Sequence, residues 1–376
     1  MRNGFLHMVL VLAVILSTGC ARKEIIPSRP HLAISLRLGS QAVTKADVGT
    51  VSSSEAERAL TSLQVWVFRN SDGLFLGYLE PNVSAFADGE EERLYISQTE
   101  DVAKDRPDVD VYAVANLAST GLSLNSSSTR ADLQEALMVS GFFQSDPPAD
   151  PEAHSALAIP ATGLPYSARK VCPIMGNYPV LNAEPVVMTR TVSKLRFVFS
   201  QLAASDGVTP LSDFSVTSLS LNGNLIPKAE YLFNTGSYAY SIDATQGYES
   251  DAVIFPVPSG SIPACSDPTY YAYNSGQSAS AYEDLINQGI KNGKLLATPY
   301  YYFRESPLAL TGSIGYQTGS VAATPVTYAM YAPGDFARGH SWIVYVYYSS
   351  SKINFSVSYT NWENGGDIPV NGDDIS

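Results

Sequence analysis

The sequence is poor in the residues that build most catalytic and metal sites. Among 376 residues there are four histidines and three cysteines. No HExxH pair, GxSxG elbow or EF-hand spacing occurs. There is no basic excess: Lys plus Arg total 23 against 36 Asp plus Glu, a net charge of −13. A nucleic-acid-binding chain needs a cationic footprint, so no nucleic acid is expected as a partner. Charged residues of both signs amount to 16 %, below the roughly 25 % of typical globular chains. Beyond the first twenty residues, no stretch approaches the ~18 consecutive apolar residues of a membrane-spanning helix.

What is present points to an outward-facing β protein. Hydrophobic residues make up 45 %, with 23 Tyr, 27 Gly and 23 Pro. At roughly 100–200 residues per domain, the length fits two domains with real cores. The chain opens with Arg2, then an apolar run from Met8 to Leu16, then Leu16-Ser17-Thr18-Gly19-Cys20. The run is too short to span a bilayer as a helix. Small residues before a cysteine at this spacing resemble a bacterial lipobox, so residues 1–19 are expected as a lipoprotein signal peptide and Cys20 as the acylated residue. The alternative is an ordinary secretory peptide with a coincidental cysteine. Beyond it only Cys172 and Cys265 remain. An exported chain permits a disulfide, and spacing leaves their pairing open.

Period-2 alternation marks the strands. Leu32, Ile34, Leu36 and Leu38 alternate with smaller or polar residues. Leu63, Val65 and Val67 do the same before the turn Asn70-Ser71-Asp72-Gly73. Similar runs hold Val109 to Ala115, Leu195 to Phe199, Trp342 to Tyr348 and Ile353 to Tyr359. Two short helices are expected, one from Thr129 with a capping-box-like start, one from Ser280 ending near Gly289. Residues 141–170, rich in Pro, Ala, Ser and Asp, read as a long loop. The composite is an all-β chain of two successive β-sandwiches with a few short helices, divided between residues 185 and 186.

Several landmarks in order resemble the fimbrillin family, the type V pilins of Bacteroidales. They are the lipobox, the strand Leu32–Leu38, and Val111-Tyr112-Ala113-Val114-Ala115-Asn116 with its Ala-Asn corner. Pro173-Ile174-Met175-Gly176, Val187 to Leu195 and Phe336-Ala337-Arg338-Gly339-His340-Ser341-Trp342 follow. The resemblance implies transthyretin-like sandwiches, export to the outer membrane as a lipoprotein, and a structural, adhesive role in a cell-surface fimbria. It implies polymerisation by strand exchange, with other pilus subunits as partners and no cofactor. In the family it resembles, a protease removes the first strand after a basic residue, usually Arg, and a C-terminal strand of the next subunit fills the groove.

Carried onto this chain, residues 20–45 become the anchor and removable strand, with Leu32, Ile34, Leu36 and Leu38 as its apolar face. Residues 46–185 and 186–376 become the two domains. The basic position falls on Lys45 rather than Arg, so Lys45–Ala46 is the first candidate cut and Arg58 the second; an uncut loop is the alternative. Ile368 and Val370 are the candidate donor anchors. Pro369 between them removes a ladder donor, which suits an accessory or tip subunit better than a long stalk. Rival readings are a non-polymerising surface lipoprotein that binds glycan or host protein, and a hydrolase on a β scaffold using His31, His154 or His340. The tyrosines at 270–273, 300–302 and 345–348 invite a binding-surface reading; those at 345–348 read rather as sandwich packing, and those at 270–273 suit either equally. The acidic cluster Asp146 to Glu152 and the pair Asp373-Asp374 read as solvated loops.

Overall fold

The computed structural model describes residues 30–38, 59–86, 91–139, 160–175, 180–182, 184–234, 241–250, 252–255, 257–265, 267–271, 279–298, 300–322, 326–330, 337–349, 352–361 and 367–369. The fold is all-β with a few short helices. The first group of strands is β1 (His31–Leu38), β2 (Leu63–Arg69), β3 (Phe75–Leu79), β4 (Glu92–Ser97), β5 (Val109–Ala115), β6 (Leu137–Met138), β7 (Tyr166–Cys172), β8 (Ile174–Met175), β9 (Val180–Asn182) and β10 (Val186–Arg190). The second is β11 (Ser193–Gln201), β12 (Phe214–Leu221), β13 (Glu230–Tyr231), β14 (Val253–Ile254), β15 (Leu296–Ala297), β16 (Tyr301–Phe303), β17 (Leu310–Thr318), β18 (Val321–Ala322), β19 (Val326–Met330), β20 (His340–Ser349), β21 (Lys352–Asn361) and β22 (Asp367–Pro369). The α-helices are α1 (Glu100–Asp105), α2 (Arg130–Gln134), α3 (Pro268–Tyr271) and α4 (Ala279–Lys291).

In the first sandwich, β3, β2, β5, β7 and β10 run side by side. A second layer joins β4, β1, β9 and β8. β10 belongs to both: Val186 to Met188 pair with β1, while Thr189 and Arg190 pair with β7. Alternation places Leu63, Val65, Val67, Val111 and Ala113 in the core between layers, where they meet the apolar face of β1. The opposite face of β2 and β5 is apolar too. Trp66, Phe68, Tyr112 and Val114 pack on Leu133 of α2 and on Leu232 and Phe233 from beyond β13. That second apolar face seats the first sandwich against the second, and the short pair β6–β13 closes the seam.

The second sandwich is centred on the parallel pair β11–β20, with Leu195 opposite Trp342 and Phe197 opposite Val344. Their inward side chains meet Phe214, Leu219 and Leu221 of β12 and Ile314 of β17. β21 pairs antiparallel with β20 from His340 opposite Asn361 to Ser349 opposite Lys352, and β22 adds to its outer edge.

The expected strands and the Thr129 helix form as read. Thr129 and Asp132 cap α2 reciprocally, each side chain reaching the other's backbone N–H, which satisfies donors the helix leaves unpaired. Three features differ. Val186 to Arg190, expected to open the second domain, are strand β10 of the first sandwich, so sheet membership changes between Arg190 and Ser193. Residues 166–170, expected as loop, are part of β7, a central strand between β5 and β10. Gly289 lies inside α4 rather than ending it. A Cβ there would stand 2.6 Å from Leu295 Cδ1 and 2.9 Å from Tyr270, so glycine serves close packing while the helix runs on to Lys291. Cys172 and Cys265, whose pairing the spacing left open, are both buried and form no disulfide.

Candidate functional site

β1 is the feature on which the sequence reading turns, and its environment can be built from the backbone outward. On one side it pairs antiparallel with β4, from His31 opposite Ser97 to Leu36 opposite Glu92. On the other side it pairs parallel with β9 at Leu32–Ala33 and with β10 at Leu36–Leu38. It is therefore an interior strand whose neighbours all come from later in the chain. Leu32, Ile34, Leu36 and Leu38 are at most 1 % exposed and share a core with Val65, Val111, Phe86, Ile96 and Met188. The reverse face is covered as well: His31 and Ser35 are buried, and His31 meets the Tyr95 ring edge-on at 5.0 Å. Arg37 alone on the strand is partly exposed.

The four aliphatic side chains contribute roughly 1.5–3 kcal/mol each on burial. Taking the strand away would bare that core and leave unpaired backbone on β4, β9 and β10. A slot with an apolar floor and two unpaired edges is a receptor for another strand.

Of the other expected site residues, Cys20, Lys45, Ala46, Arg58 and Val370 lie outside the described residues. Ile368 lies in β22, opposite Tyr359 of β21. It is thus joined to the second sandwich of its own chain, and the structure does not bring it to β1. His340 Nδ1 lies 2.9 Å from the Ala337 carbonyl oxygen. The tyrosines considered for ligand binding are largely internal: Tyr270, Tyr301, Tyr302, Tyr345, Tyr347 and Tyr348 are all buried. Among the described residues, no group of three His, Cys, Asp or Glu could hold a metal ion. No helix of the described residues is long and apolar enough to cross a membrane.

Three polar constellations escaped the sequence reading. The first is Asn116, fully buried in a left-handed conformation with φ 57°. Its Oδ1 accepts the Thr61 backbone N–H at 2.8 Å, and its Nδ2 donates to the carbonyl oxygens of Ala59 at 2.9 Å and Leu164 at 2.6 Å. The Ala-Asn corner was visible in the sequence; its partners were not. The second is buried Asp110, which accepts from Arg169 Nη2 at 3.0 Å and lies 3.1 Å from Arg130 Nε. The Arg169 guanidinium also stacks 5.3 Å over the Tyr112 ring.

The third constellation lies where the two sandwiches meet. Arg338 donates to Glu230, to the Leu232 carbonyl at 3.0 Å and to the Tyr231 carbonyl at 2.8 Å, and it faces Glu305 at 3.5 Å. Glu305 accepts the Ser241 N–H and donates its own N–H to Glu230 Oε2 at 3.3 Å. Arg304 binds the Pro227 and Val139 carbonyls and lies 3.7 Å from Glu249. Burial pushes the Glu230 carboxyl up to about 8, against the opposing pull of Arg338. Burial likewise holds the Arg304 guanidinium below its ordinary range. Ser167 of β7 donates to the Leu232 carbonyl at 2.6 Å, so the network ties the first sandwich to the second.

No protein-family model and no curated protein matches the chain. Among solved structures, it is similar to a candidate cell adhesion protein from Parabacteroides distasonis. Identity is 14 %, the TM-score is 0.50, and the match covers 90 % of this chain and 98 % of that one. It is also similar to the tip fimbrial protein Mfa3 from Porphyromonas gingivalis, at 12 % identity and TM-score 0.47 over 88 % of this chain and 99 % of that one. A fimbrilin from the same species aligns at 11 % identity and TM-score 0.48, over 89 % and 98 %. At 14 % identity, the first likeness is one of fold.

Proposed function

We propose that the chain is a structural and adhesive subunit of a cell-surface fimbria, exported as a lipoprotein through Cys20 and assembled by strand exchange. In this reading β1 is cut away after Lys45, leaving a chain that starts at Ala46, and a strand from another pilus subunit enters the slot between β4 and β9–β10. The observation that carries the proposal is the placement of β1: an interior strand supplied by the first described segment, with all four aliphatic side chains in the core. The shared fold with a candidate cell adhesion protein supports it. The role is non-catalytic.

The reading is tested on protein isolated from the cell surface. Mass spectrometry should find a polymer-borne chain beginning at Ala46 and a precursor beginning at acylated Cys20. Surface protein that always retains residues 30–38 and never forms polymer would overturn strand removal. One observation favours a second reading, a surface lipoprotein that binds glycan or host protein without polymerising. β22 is already paired with β21 of its own chain, which occupies the segment that the donor role requires. Glycan or host-protein binding by a chain that forms no polymer would select it.

A further inference from the structure

We propose that Asn116 is a positioning residue that ties off the chain beyond the first strand, so that loss of β1 stops there and does not unravel β2. The inference rests on the strand-removal reading above and concerns what keeps the remaining subunit folded.

β1 ends at Leu38 in one layer of the first sandwich, and β2 begins at Leu63 in the other. The chain between them re-enters the described structure at Ala59. After a cut in the connecting segment, that stretch becomes a free chain end, and free ends fray unless they are tied down. Fraying from Ala59 would run directly into β2, which pairs with both β3 and β5.

Leu60 packs on the core that β1 shares, but the hydrogen bonds that hold this stretch run to Asn116 and Thr162, neither of them in β1. Asn116 holds both sides of residue 60: it donates to the Ala59 carbonyl and accepts from the Thr61 N–H. Its own backbone N–H donates to the Ser62 carbonyl at 3.0 Å. The Thr61 hydroxyl lies 2.8 Å from the Thr162 carbonyl oxygen. Asn116 also grips Leu164, and Ser119 Oγ lies 2.6 Å from the Gly163 carbonyl. The clamp thus spans the end of β5 and the turn at 160–164.

The site accepts two left-handed residues to do this. Asn tolerates that region better than most side chains, and Gly163 sits beside it at φ +79°. A Cβ on Gly163 would stand 2.6 Å from the Ala59 oxygen and closer still to the Asn116 amide. An asparagine amide offers both donor and acceptor to the passing backbone, which no aliphatic side chain can.

The test uses the exported chain with a site for a sequence-specific protease placed within residues 39–58. Wild type, Asn116→Gly and Thr61→Ala are compared before and after cutting. Glycine keeps the backbone conformation open while deleting the amide, and Thr61→Ala removes the side-chain hydroxyl with its methyl but leaves the Thr61 N–H to Asn116 in place. Before cutting, protection of β5 amides from hydrogen exchange confirms that each variant is folded. After cutting and release of β1, wild type should keep the amides of 61–69 protected and recapture a synthetic peptide of residues 30–38. Asn116→Gly should lose at least ~10-fold of that protection across β2 and bind the peptide at least ~10-fold more weakly; Thr61→Ala should fall between. Equal protection and peptide binding in cut wild type and cut Asn116→Gly would overturn the tie-off. If cut wild type fails to release β1, strand removal itself falls and takes this inference with it, an outcome visible without any variant.

Discussion

Arg338 brings its guanidinium onto Glu230, a carboxyl group with no exposed surface, on the strand that pairs the second sandwich to β6 of the first. Glu305 and Glu249 share the neighbourhood with Arg304, so three carboxyls meet two guanidiniums. One neutral carboxyl balances the set, and the buried Glu230 is the group raised, to about 8.

Because its folded value lies above the ordinary 4.5, the folded chain holds this proton more tightly than the unfolded one. Its stabilising contribution is complete below the ordinary value and is lost as pH rises through the folded value. Between these limits the group should account for a decline on the order of 4 kcal/mol. Urea denaturation across pH 4 to 9, compared with Glu230→Gln, checks this; the variant should flatten the slope. An identical slope in both proteins would assign the proton elsewhere.

β1 should be sensitive at its buried positions and tolerant at Arg37. Leu36→Ala removes a wholly buried side chain and should lower the unfolding free energy of the uncut chain by about 2–5 kcal/mol. Arg37→Ala, at the one partly exposed residue of the strand, should change it by about 0.5 kcal/mol or less. Chemical denaturation of the two variants measures the contrast.

Asp110 joins Arg130 and Arg169 on a face that the second sandwich covers. Asp110→Ala strands two guanidiniums beside a buried aromatic cluster and should cost about 3 kcal/mol. Asp110→Ala/Arg169→Met should recover part of that loss, since an apolar pair leaves no charge uncompensated. A double-mutant cycle by thermal denaturation reads the coupling.

Two glycines with the same backbone twist should behave differently. Gly207 has φ +77° and nothing within 4 Å of an added Cβ, whereas Gly163 has φ +79° and crowds Asn116 and Ala59. Gly207→Ala should therefore cost about 1 kcal/mol, the left-handed backbone alone. Gly163→Ala should cost at least ~2 kcal/mol, backbone plus collision. Melting temperatures of the two variants test the order.

What the sequence made legible follows from which signals are local. β1, β2, β5 and β20 announce themselves because each repeats an apolar residue at every second position, although the fold buries both of their faces. β7 did not, because Ser167 and Arg169 look like loop residues until Leu232 and Asp110 are seen to receive them. The Asn116 clamp joins residues 55 apart, and Arg338 reaches across 108 to Glu230. Such partners are created by the fold and leave no spacing to read. The boundary between sandwiches was displaced for a related reason: β10 is a good strand in either sheet, and only its neighbours decide which.

β10 has a mechanical meaning as well. Its first half is laced to β1 and its second half to β7, so the corner of the first sandwich is a covalent hem between two layers. The layers cannot be peeled apart there by sliding one over the other; a pull must break main-chain bonds in both ladders at once. From Arg190 the same chain passes almost directly into β11. A load entering at the seat of β1 is therefore handed by one unbroken thread of backbone to the centre of the second sandwich.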